Sequence, residues 1–469
     1  LGDVYKRQMI LKNRQSAVAF LSGIVAVAAC LCMWPGARVS FVIPAYMVVM
    51  AIVMSVFSAC RWRSAAGAYI LLAMVTLSTC GVVINVNWYT TVFSTGVDSP
   101  VLLNWDAATD WDRALYNLGL STDPGLFNSR HLAGIAAGLM AVFGVDITVP
   151  IMFNVLCYGL TLVAMGSIAY AMTSDRRIAL GTLVAGSAMC YLFTQSTWLI
   201  KDVPVTLCIA VIACILVRWR MDGCSRWWEW MLLVVAMVLL LFLRANFMYM
   251  VALGAGLMAL RRDVRRLDWR FIVVIVAAIL MRMVYDHYFN SVSAEALITV
   301  DGTTTLNNHK TASRAWDKMH PGGYEDFSVG RRLLFLPASV AVQFLIPFPW
   351  NFGRDMIFAP TMVVAHFGYC WYYAGALILY WIFASGRRSP RTMQLSAVWG
   401  VAMTVLTAWM SAGRVSRYCL PYLPLLLPCA AFVAVKMWRR RSLWVWLGVF
   451  TAILIPTLLV VYHLQMTAS

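Results

Sequence analysis

Apolar runs of about twenty residues recur along this chain from Ser16 to His463, and no other feature constrains its fold so strongly. A helix rises about 1.5 Å per residue, so each run matches a hydrocarbon core of about 30 Å. Inside a bilayer no water can satisfy an open backbone, which leaves helices as the form such runs take. The residue balance agrees: 62% of the 469 residues are hydrophobic and 12% are charged, against about 25% charged in soluble domains. The expected fold is all-α, a polytopic transmembrane helical bundle, with residues 9–469 as a single domain. Residues 1–8, LGDVYKRQ, do not resemble a signal peptide and read as a scar or non-native leader. Met9, followed by Lys12 and Arg14, reads as the natural start.

The net charge of +17 comes from 37 Lys and Arg against 20 Asp and Glu. No soluble basic domain exists to hold nucleic acid, so that class of partner is excluded. The excess instead gathers in RWR (61–63), RRDVRR (261–266), RRSPR (387–391) and KMWRRR (436–441), all between apolar runs. Cytoplasmic anchoring accounts for such clusters. The 12 cysteines lie almost entirely inside apolar segments, where a free thiol acts as a small hydrophobe. Neither a disulfide framework nor a Cys-type zinc site is expected.

Threading the chain with the N-terminus in the cytoplasm gives spans at 17–34, 41–60 and 65–86, which put RWR inside and the acidic stretch at 98–123 outside. The run 131–145 is about fifteen residues, roughly 22 Å as a helix, and too short to cross. It is expected to lie at or dip into the outer surface, with Leu132, Ile135, Leu139 and Phe143 as its apolar stripe. Spans at 150–172, 178–199, 203–218, 228–243, 245–260 and 271–285 follow, then 357–384, 393–411, 418–436 and 443–463. Between them, 333–349 is interrupted by Pro337, Pro347 and Pro349 and reads as a second re-entrant element. The expectation is about thirteen spans in the plasma membrane, an outer loop at 87–149, another at 286–356, and the C-terminus outside.

The two long external loops, each beside a membrane-skimming segment, point to a site at the outer leaflet. In NWDAATDWDRALYNLGL (104–120), Asp106, Asp110 and Asp112 crowd together in an otherwise acid-poor protein. Asp106 and Asp110 are four apart and share a helix face. One reading makes this a solvated helix with an Asp110–Arg113 surface pair; the other makes one carboxylate a general base at a lipid-proximal cavity. Lys201 and Asp202 stand where two spans meet outside. They read as a snorkelling anchor, as an N-cap before Pro204, or as a phosphate ligand (Lys201) oriented by its neighbour or a metal (Asp202). Arg244 interrupts LLLFLRANFMYM and either pairs or reaches water. Arg414 and Arg417 flank a later outer turn. Guanidinium groups match phosphate oxygens bidentately, so these arginines with Lys201 would suit a lipid-linked phosphate.

The loop at 286–332 holds His287, His309 and His320 among acidic residues but no HExxH pattern. No metal site is assigned, and no cofactor is signalled, a divalent cation being left open. No nucleotide-binding fingerprint occurs.

These stretches together resemble the GT-C superfamily of membrane glycosyltransferases. WDRALYNLGL and RHLAGIAAGLMAVFG are similar to that family's acidic first outer loop and its juxtamembrane helix. TQSTWLIKDVPVTLCIA is similar to its second outer loop, LRANFMYMVALGAG to a mid-chain hairpin, and SGRVSRYCLPYLPLLLP to its late Arg-Tyr-Leu-Pro turn, which contains Tyr418. The chain departs from the pattern in having no adjacent acidic pair in the first loop and two extra helices before it, where members generally have one. The resemblance implies transfer of a sugar from a polyprenyl-phosphate donor to a glycan, lipid or protein acceptor of the cell envelope. It further implies single displacement with inversion. Asp106, Asp110 or Asp112 would be the base, and Lys201, Asp202, Arg244, Arg414, Arg417 and Tyr418 would line the phosphate site. Two other functions fit a polytopic chain: a transporter or flippase of a lipid-linked precursor, and a non-catalytic envelope-assembly protein. Few ionisable residues lie within the spans, chiefly Arg282 and His366, which speaks against proton coupling.

Overall fold

A computed structural model describes residues 2–33, 41–92, 105–121, 130–260, 268–287, 368–411 and 420–467, with scattered positions between 330 and 340. Among the described residues all regular structure is helical. The first part contains α1 (Gly2–Cys32), α2 (Val42–Ser58), α3 (Ala65–Val92), α4 (Trp105–Asn117), α5 (Arg130–Phe143) and α6 (Thr148–Thr173). It continues with α7 (Arg176–Ser187), α8 (Cys190–Ser196), α9 (Asp202–Asp222), α10 (Trp227–Arg244), α11 (Phe247–Ala259) and α12 (Trp269–Tyr285). Later come α13 (Gly368–Tyr380), a wide turn at Trp381–Ser385, α14 (Arg391–Ser411), α15 (Leu423–Lys436) and α16 (Arg441–Thr467).

Among the described residues, five helices are long and apolar enough to cross a membrane: Ala65–Val86, Thr148–Thr173, Asp202–Asp222, Trp227–Arg244 and Arg441–Val460. Shorter apolar helices, including Val42–Ser58 and Phe247–Ala259, stand among them. α10 turns Met231, Val234 and Val235 outward, and α12 turns out Val276, Leu280 and Met283. A water-facing protein rarely shows so broad an apolar exterior, whereas lipid is its natural solvent. The chain is a membrane protein by these criteria.

α6 and α9 form the centre. They pack on one another more extensively than any other pair, and α2, α3, α7 and α15 surround α6. Close approach depends on small residues in two places. A Cβ on Gly166 of α6 would lie 2.3 Å from the indole of Trp62, and one on Gly254 of α11 would lie 2.3 Å from that of Trp399 on α14. Such close-packed contacts hold helices together where lipid removes the hydrophobic drive between them.

One end of the bundle collects the cations. Lys436 of α15 pairs with Asp175 before α7 at 2.6 Å. Arg218 reaches Glu229 at 3.0 Å, and the indole of Trp219 donates to the same carboxylate at 2.7 Å. Arg270 pairs with Asp268 and donates to Gly223 O at 3.0 Å. Arg220 donates to the carbonyls of Met258 and, at 2.9 Å, Leu260, where α11 ends. Each of these polar contacts ties helix ends that basic clusters flank in the sequence. The opposite end carries the start of α9, the end of α10 and the short helices α4 and α5.

Two expectations change here. The span at 178–199 is not one helix: it stops at Ser187 and restarts as α8. Gly186 and Ser187 are weak helix formers, and the Ser187 hydroxyl donates back to Leu183 O at 2.9 Å, a bond that competes with the ladder. Helix α5 exists, but its buried face is Leu132, Ala133, Ala136, Ala137 and Met140 rather than the stripe through Ile135, Leu139 and Phe143. Phe143 is exposed. The alanines allow a near approach to the bundle beside Leu132 and Met140, while Ile135 and Leu139 are half-buried.

Candidate functional site

α4 is amphipathic. Asp110, Trp111 and Ala114 are buried, while Tyr116 and Asn117 are exposed. Gly119, at φ +71°, ends it in the left-handed conformation, and Leu120 N–H returns to Leu115 O at 3.0 Å. α4 packs on α5, and α5 packs on α6 and touches α10, so the acidic helix is carried onto this end of the bundle. Asp110 is only 1% exposed, so it does not stand on a solvated face. The Arg113 guanidinium lies 5.0 Å from the ring centre of Tyr116. Asp112 is half-buried. Asp106 falls in the first turns of α4, and its side chain lies outside the described set.

After α8 the chain is unwound from Thr197 to Lys201 before α9 begins at Asp202. Pro204 explains part of this. It has no N–H to give to the carbonyl four residues back, and its ring crowds that carbonyl, so a continuous helix through Ile200 is disfavoured. Open carbonyls inside an apolar bundle must find other donors. Asn154 of α6 supplies them: its amide nitrogen donates to Ile200 O at 2.9 Å and to Trp198 O at 2.6 Å. Asn85 of α3 donates to the Thr197 hydroxyl at 2.8 Å, and the Ser78 and Ser196 hydroxyls bond at 2.6 Å.

This support sets the start of α9. Lys201 is its N-cap residue, makes no side-chain cap, and is half-buried. Asp202 is therefore inside the helix, not its cap, and it is 1% exposed. Arg244, at the end of α10, reaches Asp202 Oδ1 at 2.8 Å. The expectation that Arg244 either pairs or reaches water is settled for pairing. Two residues on, Asn246 accepts from Arg282 of α12 at 3.1 Å, and Arg282 also pairs with Asp286. The α10–α11 hairpin is thus held from both sides.

Asp202 pairs with Arg244, and Lys201 is the neighbour of Asp202 in the chain. Asp110 lies on the helix layer at the same end. Arg414, Arg417, Tyr418 and His366 lie outside the described residues. Among the described residues no cluster of three His, Cys, Asp or Glu side chains could hold a metal. Sequence reasoning missed Asn85 and Asn154. Each is an amide in an apolar run, GVVINVNWY and PIMFNVLCYG, and a polar residue placed there at a cost signals a partner.

Chemically, this end combines a buried carboxylate on a peripheral helix with a carboxylate–guanidinium pair and an adjacent amine at a helix start. Such a group of charges can bind an anion and offers a carboxylate for proton abstraction. No family description, curated protein or solved structure matches this chain.

Proposed function

We propose that this chain is a GT-C-type glycosyltransferase that moves a sugar from a polyprenyl-phosphate donor to a cell-envelope acceptor at the outer leaflet. The observation that carries the reading is the buried Arg244–Asp202 pair beside Lys201, at the bundle end that α4 covers with a buried Asp110. Under this reading the chain makes thirteen passages, α7 and α8 forming one broken passage, with the N-terminus cytoplasmic and the C-terminus outside.

Asp110 takes the proton of an acceptor hydroxyl, with Asp106 and Asp112 as the alternatives on the same helix. The hydroxyl oxygen attacks the anomeric carbon as the bond to the phosphate oxygen breaks, and the polyprenyl phosphate leaves with the electron pair. Configuration inverts. Lys201 and Arg244, joined by Arg414, Arg417 and Tyr418, meet the charge growing on the phosphate. Asp202 fixes the Arg244 guanidinium.

The test uses the full chain in proteoliposomes with a polyprenyl-phosphate sugar and envelope acceptors. Asp110→Asn is expected to lower transfer by about 10²–10⁴-fold, the usual contribution of a general base, with melting unchanged. Full activity in that variant would remove Asp110 from the mechanism. Absence of transfer by wild type over a panel of donors would remove the enzyme.

The broken passage favours a second reading, transport of a lipid-linked precursor, because unwound helices mark substrate paths in transporters. Movement of a fluorescent polyprenyl-phosphate sugar across vesicles containing no acceptor would select it.

A further inference from the structure

We infer that Asn85 and Asn154 are positioning residues that hold the unwound segment 197–201 so that Lys201 and Asp202 face Arg244. The inference rests on geometry and extends the proposed reading by naming what sets its anion site.

The segment is open at a depth where the bundle is otherwise closed. Thr197, Trp198, Leu199 and Ile200 are all buried, so water does not serve their backbone. An unserved carbonyl in hydrocarbon costs several kcal/mol, and an unbroken helix would have avoided that cost. Here the break is favoured by Pro204 and supported by side chains from two other helices. Asn154 is fully buried and spends both of its N–H groups on carbonyls of this segment. Asn85, from α3, fastens Thr197 at the other end. Directly after the second carbonyl served by Asn154, the chain places Lys201 and then Asp202. The Asp202 side chain meets Arg244 at 2.8 Å. Releasing Ile200 therefore releases the amine and the carboxylate together.

A merely structural asparagine would lower melting without moving the segment. The full chain in nanodiscs separates the two roles by peptide-resolved hydrogen exchange and by the acylation rate of Lys201 with a water-soluble amine-reactive ester. Both are measured at a fixed interval below each variant's melting midpoint. The variants are Asn154→Ala, Asn85→Ala and the control Thr161→Ala. Thr161 is equally buried on α6 but bonds only its own helix, at Cys157 O. Exchange over 197–201 is expected to quicken about ten- to a hundredfold in Asn154→Ala, the range for losing buried hydrogen bonds, with the interior of α9 unchanged. Acylation of Lys201 changes with it. Asn85→Ala produces the same local pattern more weakly, and Thr161→Ala produces neither effect.

Unchanged exchange over 197–201 would overturn the inference. So would quickening spread evenly over α6, α8 and α9, or local quickening with Lys201 acylation unaltered. No sugar donor enters these measurements. A failure of glycosyl transfer therefore leaves them standing, and their failure leaves the enzyme test untouched.

Discussion

Arg244 Nη2 lies 2.8 Å from Asp202 Oδ1, joining the last residue of α10 to the first of α9 through side chains 16% and 2% exposed. Removing one partner from such a pair strands a charge where lipid and protein exclude water. Arg244→Ala and Asp202→Ala are each expected to destabilise the bundle by about 3–5 kcal/mol, and the joint replacement Asp202→Leu with Arg244→Met by much less. Melting of the detergent-solubilised chain measures this. Equal losses in the single and joint variants would show that the pair does not act as a unit.

Asp175 caps α7 by accepting from Arg177 N at 2.8 Å, and Lys436 approaches its other oxygen. The hydrogen bond from Lys436 holds the Asp175 carboxyl below its usual value of 3.8, with desolvation opposing. A carboxylate depressed in the folded state adds stability that is complete above its unfolded pKa and is lost as pH falls through the folded one. Wild-type melting should therefore drop more steeply below pH 3.8 than that of Asp175→Asn, which keeps the cap but not the charge. Parallel curves would discount the pair.

Gly254 leaves room for the ring of Trp399, since a Cβ there would stand 2.3 Å from Cε2. Neither a fully buried indole nor the helix backbone moves easily. Gly254→Ala is expected to cost about 1–3 kcal/mol through overpacking, and Trp399→Leu in the same chain should recover part of it. A neutral Gly254→Ala would mean that the two helices separate freely.

Trp219 donates to Glu229 at 2.7 Å, and Glu229 is 2% exposed. Trp219→Phe keeps the ring but removes the donor. A loss of about 1.5–3 kcal/mol follows, the range for hydrogen bonds to charged groups. Arg218→Met should add to it less than independently, because both side chains serve the same carboxylate. Strict additivity in a double-mutant melt would contradict that sharing.

Helix class and most boundaries were legible because a membrane allows so few backbone forms. The apolar run at 150–172 became α6, and the paired arginines and aspartates fell at helix ends. Hydropathy could not show the break at Ser187–Cys190, since no proline marks it and both sides are apolar. It was right for α5 only in part: Leu132 of the expected stripe is buried, but Phe143 is exposed and Ala133, Ala136, Ala137 and Met140 complete the contact. That Arg244 needs a partner was legible from its place in an apolar run, but that the partner is Asp202 was not. The support from Asn85 and Asn154 was not, because it depends on which carbonyls Pro204 leaves open.

Arg220 terminates α11 from outside that helix, by giving its guanidinium to the carbonyls of Met258 and Leu260. The last carbonyls of α11 are thereby served by a side chain of α9, so Arg220→Met should fray the end of α11 in hydrogen exchange while leaving its first turns unchanged.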